Sequence, residues 1–241
     1  MIRGLYSAAS GISAQAARTD IYAANLANSS TNGYLRNRVS QMSFPHDLVA
    51  SSAFMDATGT LGGGVTISGA GVDFTPGTIQ QTSNSLDLAI AGKGFFCVNT
   101  PAGEGYTRNG AFQLSSDGTI VTRDGYALLG RGGPIRVGSA DIAIDELGRV
   151  WENGRAVDTL RIAEIPSDGR TAKMDATVLM SIEAKAASEF KIVQGAIEGS
   201  NVNAMRELQM MMSSQRQYEA NIRAIQAQDD SLQVLLRDVV G

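Results

Sequence analysis

The N-terminal end of the chain carries a helical hydrophobic pattern. Mostly apolar residues recur there at alternating four- and three-residue steps, namely Leu5, Ala9, Ile12, Ala16, Thr19, Ala23 and Leu26. This spacing predicts a helix with a narrow seam. Because most seam side chains are alanines, each contact buries little apolar area. We therefore expect this helix to need several neighbours.

The C-terminal end carries two interleaved heptad rows. The first row contains Met211, Tyr218, Ile225, Leu232 and Val239, and the second contains Leu208, Gln215, Ile222, Asp229 and Leu236. Two such rows predict a coiled-coil seam on a helix from about Asn203 to Val240. At 1.5 Å per residue the helix is on the order of 55 Å long. The terminal helices are therefore expected to meet each other or other subunits.

Between the two ends the pattern changes to short β-prone runs. Stretches such as "GFFCVNT" and "GTIVTRDGYALLG" are separated by Asp-Gly, Asn-Gly or Gly-Gly turn signals. The stretch around "SSAFMDATGTLGGG" has no steady period and is rich in Gly, Ser, Thr and Ala, which is typical of a linker.

These patterns predict a mainly β central domain flanked by long N- and C-terminal α-helices that pack together as a coiled-coil-like layer. The expected divisions are an N-terminal helix over 1–34, a linker over 35–64, a β domain over 65–197 and a C-terminal helix over 198–241.

A polar cluster follows the first helix in the stretch "YAANLANSSTNGY". Asn25 and Asn28 begin a capping-type cluster, and Gly33 is a natural position for a positive φ where the helix stops. The side chains of this cluster can bond backbone groups freed at the helix end, or polar groups of a neighbouring subunit. For any one residue the helix-end role is favoured, and for the whole run an assembly contact is favoured.

Composition narrows the possible functions. The 241 residues are 43% hydrophobic and carry a formal net charge of −4, with scattered basic residues that form no stripe for binding nucleic acid. One cysteine and one histidine exclude an internal disulfide and a Cys/His metal cluster, so no cofactor is expected. We expect Cys97 to be a buried, inert thiol and His46 to lie in a surface loop.

Neither catalysis nor membrane insertion is predicted. The candidate carboxylates Asp117, Asp124, Asp141 and Asp145 mostly accompany turn signals, where Asp is common for conformational reasons. No run approaches the roughly 18 apolar residues of a membrane span. Polar residues interrupt any apolar stretch near the N-terminus, so we expect no cleaved secretory signal. The remaining possibilities are a cytoplasmic protein and one exported without such a signal.

Several stretches resemble the bacterial flagellar rod and hook proteins. The opening "GLYSAASGI", the polar "ANLANSSTNGY" and the C-terminal "EGSNVNAMRELQMMMSSQRQYEAN" are similar to the family's terminal motifs. The central "LDLAIAGKGFF" and "YTRNGAFQLSSDGTIVTRDGYALLG" are similar to its β domain. The chain departs from the family pattern at Ala24, Ala91, Ser213 and Ser214.

The resemblance implies a structural subunit of the flagellar basal-body rod that polymerises with itself and with other rod subunits in a helical tube. It further implies export through the flagellar type III apparatus and assembly in the periplasm. The chain is too short for a hook protein, and "EGYTRNG" followed by "GRGGPIRV" is more similar to the proximal than to the distal rod protein. The distal rod protein is the second interpretation, and a non-flagellar soluble β binding module with paired terminal helices is the third.

The expected assembly interface combines both helix seams with the polar cluster. Its residues are Leu5, Ile12, Asn25, Leu26, Asn28, Thr31, Gly33, Leu208, Met211, Tyr218, Ile222, Ile225, Leu232 and Leu236.

Overall fold

The computed structural model describes residues 2–43, 47–50, 57–61, 65–139, 142–166 and 171–240. His46 and Asp141 lie outside these ranges. Contacts between residues divide the chain into two units. The helical unit comprises Met1–Ala27, Asn37–Gly71 and Asn203–Gly241, and the β unit comprises Asn28–Arg36 and Val72–Val202.

Two long helices dominate the helical unit. Helix α1 spans Ile2–Ala27 and helix α2 spans Ala204–Val240. They pack against each other along their lengths, which confirms the predicted pairing of the chain ends. Asn203 caps α2, because its Oδ1 accepts a hydrogen bond from the Arg206 backbone N–H at 3.0 Å. No helix in the described part of the chain is long and apolar enough to cross a bilayer.

The strands are short and numerous. In the first half they are β1 (Asn37–Ser43), β2 (Asp47–Ala50), β3 (Ala57–Leu61), β4 (Val65–Val72), β5 (Ile79–Gln81), β6 (Leu88–Gly92), β7 (Phe95–Thr100), β8 (Gly103–Thr107), β9 (Phe112–Leu114) and β10 (Ile120–Thr122). In the second half they are β11 (Ala127–Gly130), β12 (Gly133–Pro134), β13 (Ile142–Ile144), β14 (Arg149–Glu152), β15 (Arg155–Thr159), β16 (Ile162–Glu164), β17 (Thr171–Lys173), β18 (Val178–Ser181), β19 (Lys185–Ala186), β20 (Phe190–Gln194) and β21 (Ala196–Glu198).

The β unit is built from antiparallel pairs around one large sheet. The strand order in that sheet is β17-β18-β8-β7-β11-β10-β9, with β12 and β16 paired to β11 and β7, and β19 paired to β16. Strands β13, β14 and β15 form a second sheet, and β6 with β20 and β5 with β21 form two ribbons. The mainly β centre predicted from the turn-separated runs is therefore confirmed. The segment expected to be a linker, 35–64, contains β1, β2 and β3.

Strand β7 is buried on both faces. Phe96 and Val98 enter the larger hydrophobic cluster, which also contains Ile90, Leu128 and Val150. The alternate residues Phe95 and Cys97 enter a smaller cluster with Leu35, Tyr106 and Leu179. Burial, together with the nearby Glu104 carboxylate, raises the pKa of the Cys97 thiol to about 12. The predicted burial of Cys97 is confirmed.

Turns follow the predicted signals. Gly118 and Gly125, which follow Asp117 and Asp124, adopt φ values of 78° and 86°. Asn153 and Gly154, between β14 and β15, have φ values of 49° and 77°. These left-handed conformations suit Gly and Asn, which explains why those residues mark the ends of the strands.

Candidate functional site

The seam between the two helices is polar. Glu207, Ser214, Asn221 and Gln228 recur every seven residues along one face of α2, and we call them the polar row. Glu207 and Ser214 are buried, and Asn221 and Gln228 are half-buried. Because this row faces α1, the contact between the helices contains a hydrogen-bonding side chain of α2 about every two turns.

The first layer of the seam joins Asn25 to Glu207. Asn25 Nδ2 donates hydrogen bonds to Glu207 Oε2 and to the Asn37 carbonyl oxygen, both at 3.0 Å. The Asn37 backbone N–H donates to Asn25 Oδ1 at 2.9 Å. Asn25 is fully buried, so its partners lie inside the helical unit. The side chain therefore ties the end of α1 both to the first turn of α2 and to the start of β1.

The second layer surrounds Ser214. Its Oγ lies 2.9 Å from Gln15 Oε1 and 3.0 Å from the Gln15 carbonyl oxygen. Thr19 Oγ1 lies 3.2 Å from Ser214 Oγ. At the edge of the same layer Gln15 Nε2 donates to Gln217 Oε1 at 2.7 Å.

The third layer pairs Gly11 with Asn221. A Cβ atom at Gly11 would lie 2.9 Å from Asn221 Nδ2, closer than side-chain atoms normally approach a Cβ. The absence of a side chain at Gly11 therefore makes room for the Asn221 amide. One heptad further along α2, Gln228 Oε1 is buried without a hydrogen-bond partner among the described residues.

The face that pairs the helices differs from the predicted seams. In α1, Ala14 and Asn25 are buried, whereas Ala9, Ala16 and Ala23 are exposed. The other predicted α1 residues, Leu5, Ile12, Thr19 and Leu26, are half-buried.

In α2, one predicted row borders the polar row and the other is largely exposed. Met211 and Ile225 of the first row are half-buried, and Tyr218 is 36% exposed. In the second row Leu208, Gln215 and Asp229 are exposed and Ile222 is half-buried. The structure does not describe the side chains of Leu232 and Leu236. The physical reason is that polar side chains of α1 satisfy Glu207 and Ser214 and that Gly11 leaves room for Asn221, so the apolar residues need not face inward.

Helix α2 keeps large apolar side chains at its surface. Met205 is 67% exposed and Met212 46% exposed, and with Leu208 they form a stripe at three- and four-residue spacing. Among the described residues, ten large hydrophobic side chains are exposed, and six of them lie on α2. This concentration on one helix distinguishes the surface of α2 from that of the β unit.

The polar cluster after α1 belongs to the β unit. Thr31 closes a turn on Asn28, because its backbone N–H donates to the Asn28 carbonyl oxygen at 3.1 Å and its Oγ1 donates to Asn28 Oδ1 at 3.2 Å. Gly33 has a φ of 65°, as predicted, and its N–H donates to the Glu198 carbonyl oxygen at 2.7 Å. Asn28 and Thr31 are half-buried and Gly33 is buried.

Three residues that sequence reasoning did not select organise this part of the β unit. Arg108 and Glu198 form a buried ion pair at 3.0 Å. Asn201 Oδ1 accepts the Arg36 backbone N–H at 2.7 Å, and its Nδ2 donates to the Asp73 carbonyl oxygen at 2.9 Å. The polar run "EGSN" before α2 was the only local signal for Glu198 and Asn201.

Asp117 and Asp145, two of the carboxylates considered for catalysis, accept hydrogen bonds within turns. Asp145 Oδ1 accepts backbone N–H groups of Leu147 and Arg149 at 3.0 and 2.9 Å, and the hydrogen bonds from Arg149 lower the pKa of its carboxyl. A hydrogen bond from Ser115 lowers the pKa of Asp117 in the same way. The described residues include no group of three His, Cys, Asp or Glu side chains placed to hold a metal ion.

Three family descriptions match successive parts of the chain. "Flagella basal body rod protein" matches residues 5–34, "Flagellar hook protein FlgE/F/G D1 domain" matches 89–170, and "Flagellar basal body rod FlgEFG protein C-terminal" matches 193–238. The matched segments cover most of α1 with the polar cluster, seven of the ten strands of the large sheet, and most of α2.

Curated relatives match over nearly the whole chain. The chain is 31% identical over 263 residues to the flagellar basal-body rod protein FlgG of Bacillus subtilis, covering 98% of each protein. It is 29% identical over 262 residues to FlgG of Agrobacterium fabrum, covering 99% of this chain and all of the relative. It is 30% identical over 249 residues to the flagellar basal-body rod protein FlgF of Escherichia coli, covering 96% of each.

Proposed function

The chain belongs to the family of flagellar basal-body rod proteins and is a structural subunit of the rod, and from this premise we propose that it polymerises through the outward faces of its terminal helices. The repeated contact joins unlike surfaces of successive subunits, so that it generates a helical tube rather than a closed ring. The tube transmits torque from motor to hook mechanically, without chemistry and without a cofactor. Family membership replaces the alternative of a non-flagellar binding module.

The exposed apolar stripe of α2 is the observation that supports this proposal. Met205, Leu208 and Met212 lie outside the polar seam and are open to solvent in the single chain. Fully burying a Met or Leu side chain contributes about 1.5–3 kcal/mol. A contact that covers all three residues, repeated in every subunit, therefore supplies a substantial driving force for polymerisation.

The proposed interface residues divide into direct and indirect contributors. Leu208 and Tyr218 are exposed and contact another subunit directly, and the half-buried apolar residues extend that surface; these are Leu5, Ile12, Leu26, Met211, Ile222 and Ile225. Leu232 and Leu236 join them by their place in the heptad rows. Asn28 and Thr31 contribute polar groups of the β unit to the contact with another subunit. Asn25 and Gly33 are buried, so they act indirectly by shaping the chain that carries it.

Within the rod, the proximal segment is the proposed location and the distal segment is the alternative. The support is the pair of motifs "EGYTRNG" and "GRGGPIRV", which are more similar to the proximal rod protein. Electron microscopy of isolated basal bodies carrying a labelled chain tests this assignment. Label density next to the hook would contradict it.

The subunit is proposed to reach the periplasmic part of the basal body through the flagellar type III apparatus, without cleavage of a signal peptide. The support is family membership together with the polar residues Ser10, Ser13 and Arg18, which interrupt any apolar N-terminal segment. Mass spectrometry of the protein in purified basal bodies tests for an uncleaved N-terminus. A cleaved form, or secretion in cells that lack the apparatus, would contradict the proposal.

Charge substitution on the apolar stripe tests polymerisation. Leu208→Asp with Met212→Asp places two carboxylates on the proposed contact, and we expect loss of the chain from basal bodies because burying these charges is costly. The matched control is Leu147→Asp, which changes an apolar side chain that is 62% exposed in the β unit. Circular dichroism should show unchanged helix content in both variants. Equal incorporation of the helix variant and the control would overturn the proposal.

A further inference from the structure

The three described layers of the helix seam are chemically distinct. Asn25 meets a carboxylate, Gln15 and Thr19 meet a hydroxyl, and Gly11 meets an amide. An apolar heptad seam looks the same after a shift of one heptad, so its register is poorly specified. A seam with a different donor and acceptor set in each layer changes with every shift.

We propose that the polar row sets the antiparallel register of α1 against α2, with Glu207, Ser214 and Asn221 acting as positioning residues. This inference concerns the single chain and does not depend on the proposed polymerisation. The positions support it: along α2 the row advances by seven residues, and the α1 groups that meet it recede by nearly the same step.

A shift of one heptad has a definite cost in each layer. If Asn25 moved from Glu207 to Ser214, the buried Glu207 carboxylate would lose its amide donor. In the same shift Asn221 would leave the space at Gly11 and meet the bulkier Arg18. Of these two registers, only the native one satisfies both the Glu207 layer and the Asn221 layer.

The same residues explain why the apolar stripe stays outside. A polar residue in a coiled-coil seam lowers stability but specifies one arrangement. Apolar residues at positions 207, 214 and 221 would extend the apolar surface around more of the circumference of α2. Helix α1 could then pair with more than one face of α2, and in more than one register. The polar row therefore separates the face used within the chain from the exposed face with Met205, Leu208 and Met212.

Distances between spin labels on the full-length chain test the register. One label pair, Ala16→Cys with Arg216→Cys, lies at the same level of the native seam, and a second pair, Ala23→Cys with Arg216→Cys, lies one heptad out of level. All three positions are exposed. A shift that brings Asn25 to Ser214 moves one helix by about 10 Å along the axis. It lengthens the first distance and shortens the second, whereas fraying of the helices broadens both. Cys97 is buried and its thiol has a pKa of about 12, so the parent chain should take no label.

The test variant combines Glu207→Leu, Ser214→Ala and Asn221→Ala. We expect a second population in which the two label distances change in opposite directions. The matched control combines Glu219→Leu, Ser213→Ala and Gln215→Ala at exposed positions of the same helix, and it should keep the parent distances. Unchanged distances in the test variant, or the same shift in the control, would overturn the inference. So would a broad distribution in the parent chain.

If the triple variant loses its helix content, single substitutions at Glu207 test the register instead. Glu207→Gln retains an oxygen that accepts the Asn25 amide and should keep the native register. Glu207→Leu removes that acceptor and should introduce the shifted population. If both single variants lose helix content together, the polar row is needed for folding rather than for register, and the inference fails.

Discussion

Arg108 Nη1 lies 3.0 Å from Glu198 Oε2 within the β unit, and the two side chains are 4% and 1% exposed. Further hydrogen bonds hold both side chains in place. Arg108 Nη2 donates to the Gly92 carbonyl oxygen at 2.9 Å, and the Gly77 backbone N–H donates to Glu198 Oε1 at 2.8 Å. Because both charges are withdrawn from water, each depends on the other for compensation.

Arg108→Met should lower the free energy of unfolding of the β unit by about 3–5 kcal/mol, because the Glu198 carboxylate would stay buried without its counter-charge. Urea titration followed by circular dichroism measures the loss. Lys191→Met is the control, since Lys191 also pairs with a carboxylate at 3.0 Å, that of Glu146, but both side chains are largely exposed. That variant should lose about 1 kcal/mol or less. Equal losses would show that burial of the ion pair is unimportant.

Gly33→Ala should lower the thermal midpoint more than Gly125→Ala. Both glycines have positive φ, at 65° and 86°, and a side chain in this conformation costs about 1–2 kcal/mol. A Cβ at Gly33 would also collide with the backbone of Asn109, whereas a Cβ at Gly125 would meet no atom within 4 Å. Because the conformational cost is shared, the difference between the two midpoints measures the collision of the Cβ at position 33 with the Asn109 backbone. Similar midpoints would mean that the Asn109 backbone moves aside freely.

The surroundings of Lys173 predict that this residue makes the free energy of unfolding rise with pH. Its Nζ donates to the Leu35 carbonyl oxygen at 2.6 Å and lies 4.1 Å from the centre of the Tyr34 ring. Burial lowers the pKa of Lys173 from 10.5 to about 8. Between these values the unfolded chain binds more protons than the folded chain, so this group makes the free energy of unfolding rise with pH.

The measurement compares the wild type with Lys173→Met at about pH 7 and about pH 10. The comparison between chains is needed because burial raises the pKa values of Cys97 and Tyr106 to about 12, which acts in the opposite direction. The free energy of unfolding of the wild type, relative to that of the variant, should therefore increase as pH rises. Parallel pH curves for the wild type and Lys173→Met would contradict the assignment.

Local signals in the sequence were sufficient for the main elements. The heptad spacing after Asn203 predicted α2, and the structure has it at Ala204–Val240. The Asp-Gly and Asn-Gly pairs predicted turns because they report a backbone conformation that few other residues adopt. Gly33 belongs to the same class, and its positive φ followed from its place after the helix. Each of these features depends on residues close together in the chain.

The pairing face of the helices could not be predicted in this way. Heptad analysis assumes that apolar residues face inward, and here Glu207, Ser214 and Asn221 do so instead. Glu207 and Ser214 are accepted in the seam because α1, about 180–200 positions away, supplies their hydrogen-bond partners. Asn221 fits because Gly11 of α1 has no side chain. The Arg108–Glu198 pair joins positions equally invisible to a local pattern. The pairing face and the buried ion pair therefore depend on polar contacts between residues far apart in the chain, which hydrophobic periodicity does not report.

Asn25→Asp should destabilise the helix pair at neutral pH by about 3–5 kcal/mol, because it places a second carboxylate against the buried Glu207. The loss should shrink at acid pH, where the two carboxylates can share a proton. Asn28→Asp is the control: its side chain is half-buried and keeps an oxygen for Thr31 Oγ1, so it should cost less than the roughly 0.5–1.5 kcal/mol of one hydrogen bond at both pH values. Thermal melts followed by circular dichroism measure both variants. Equal losses, or no recovery of the Asn25 variant in acid, would contradict the Asn25–Glu207 contact.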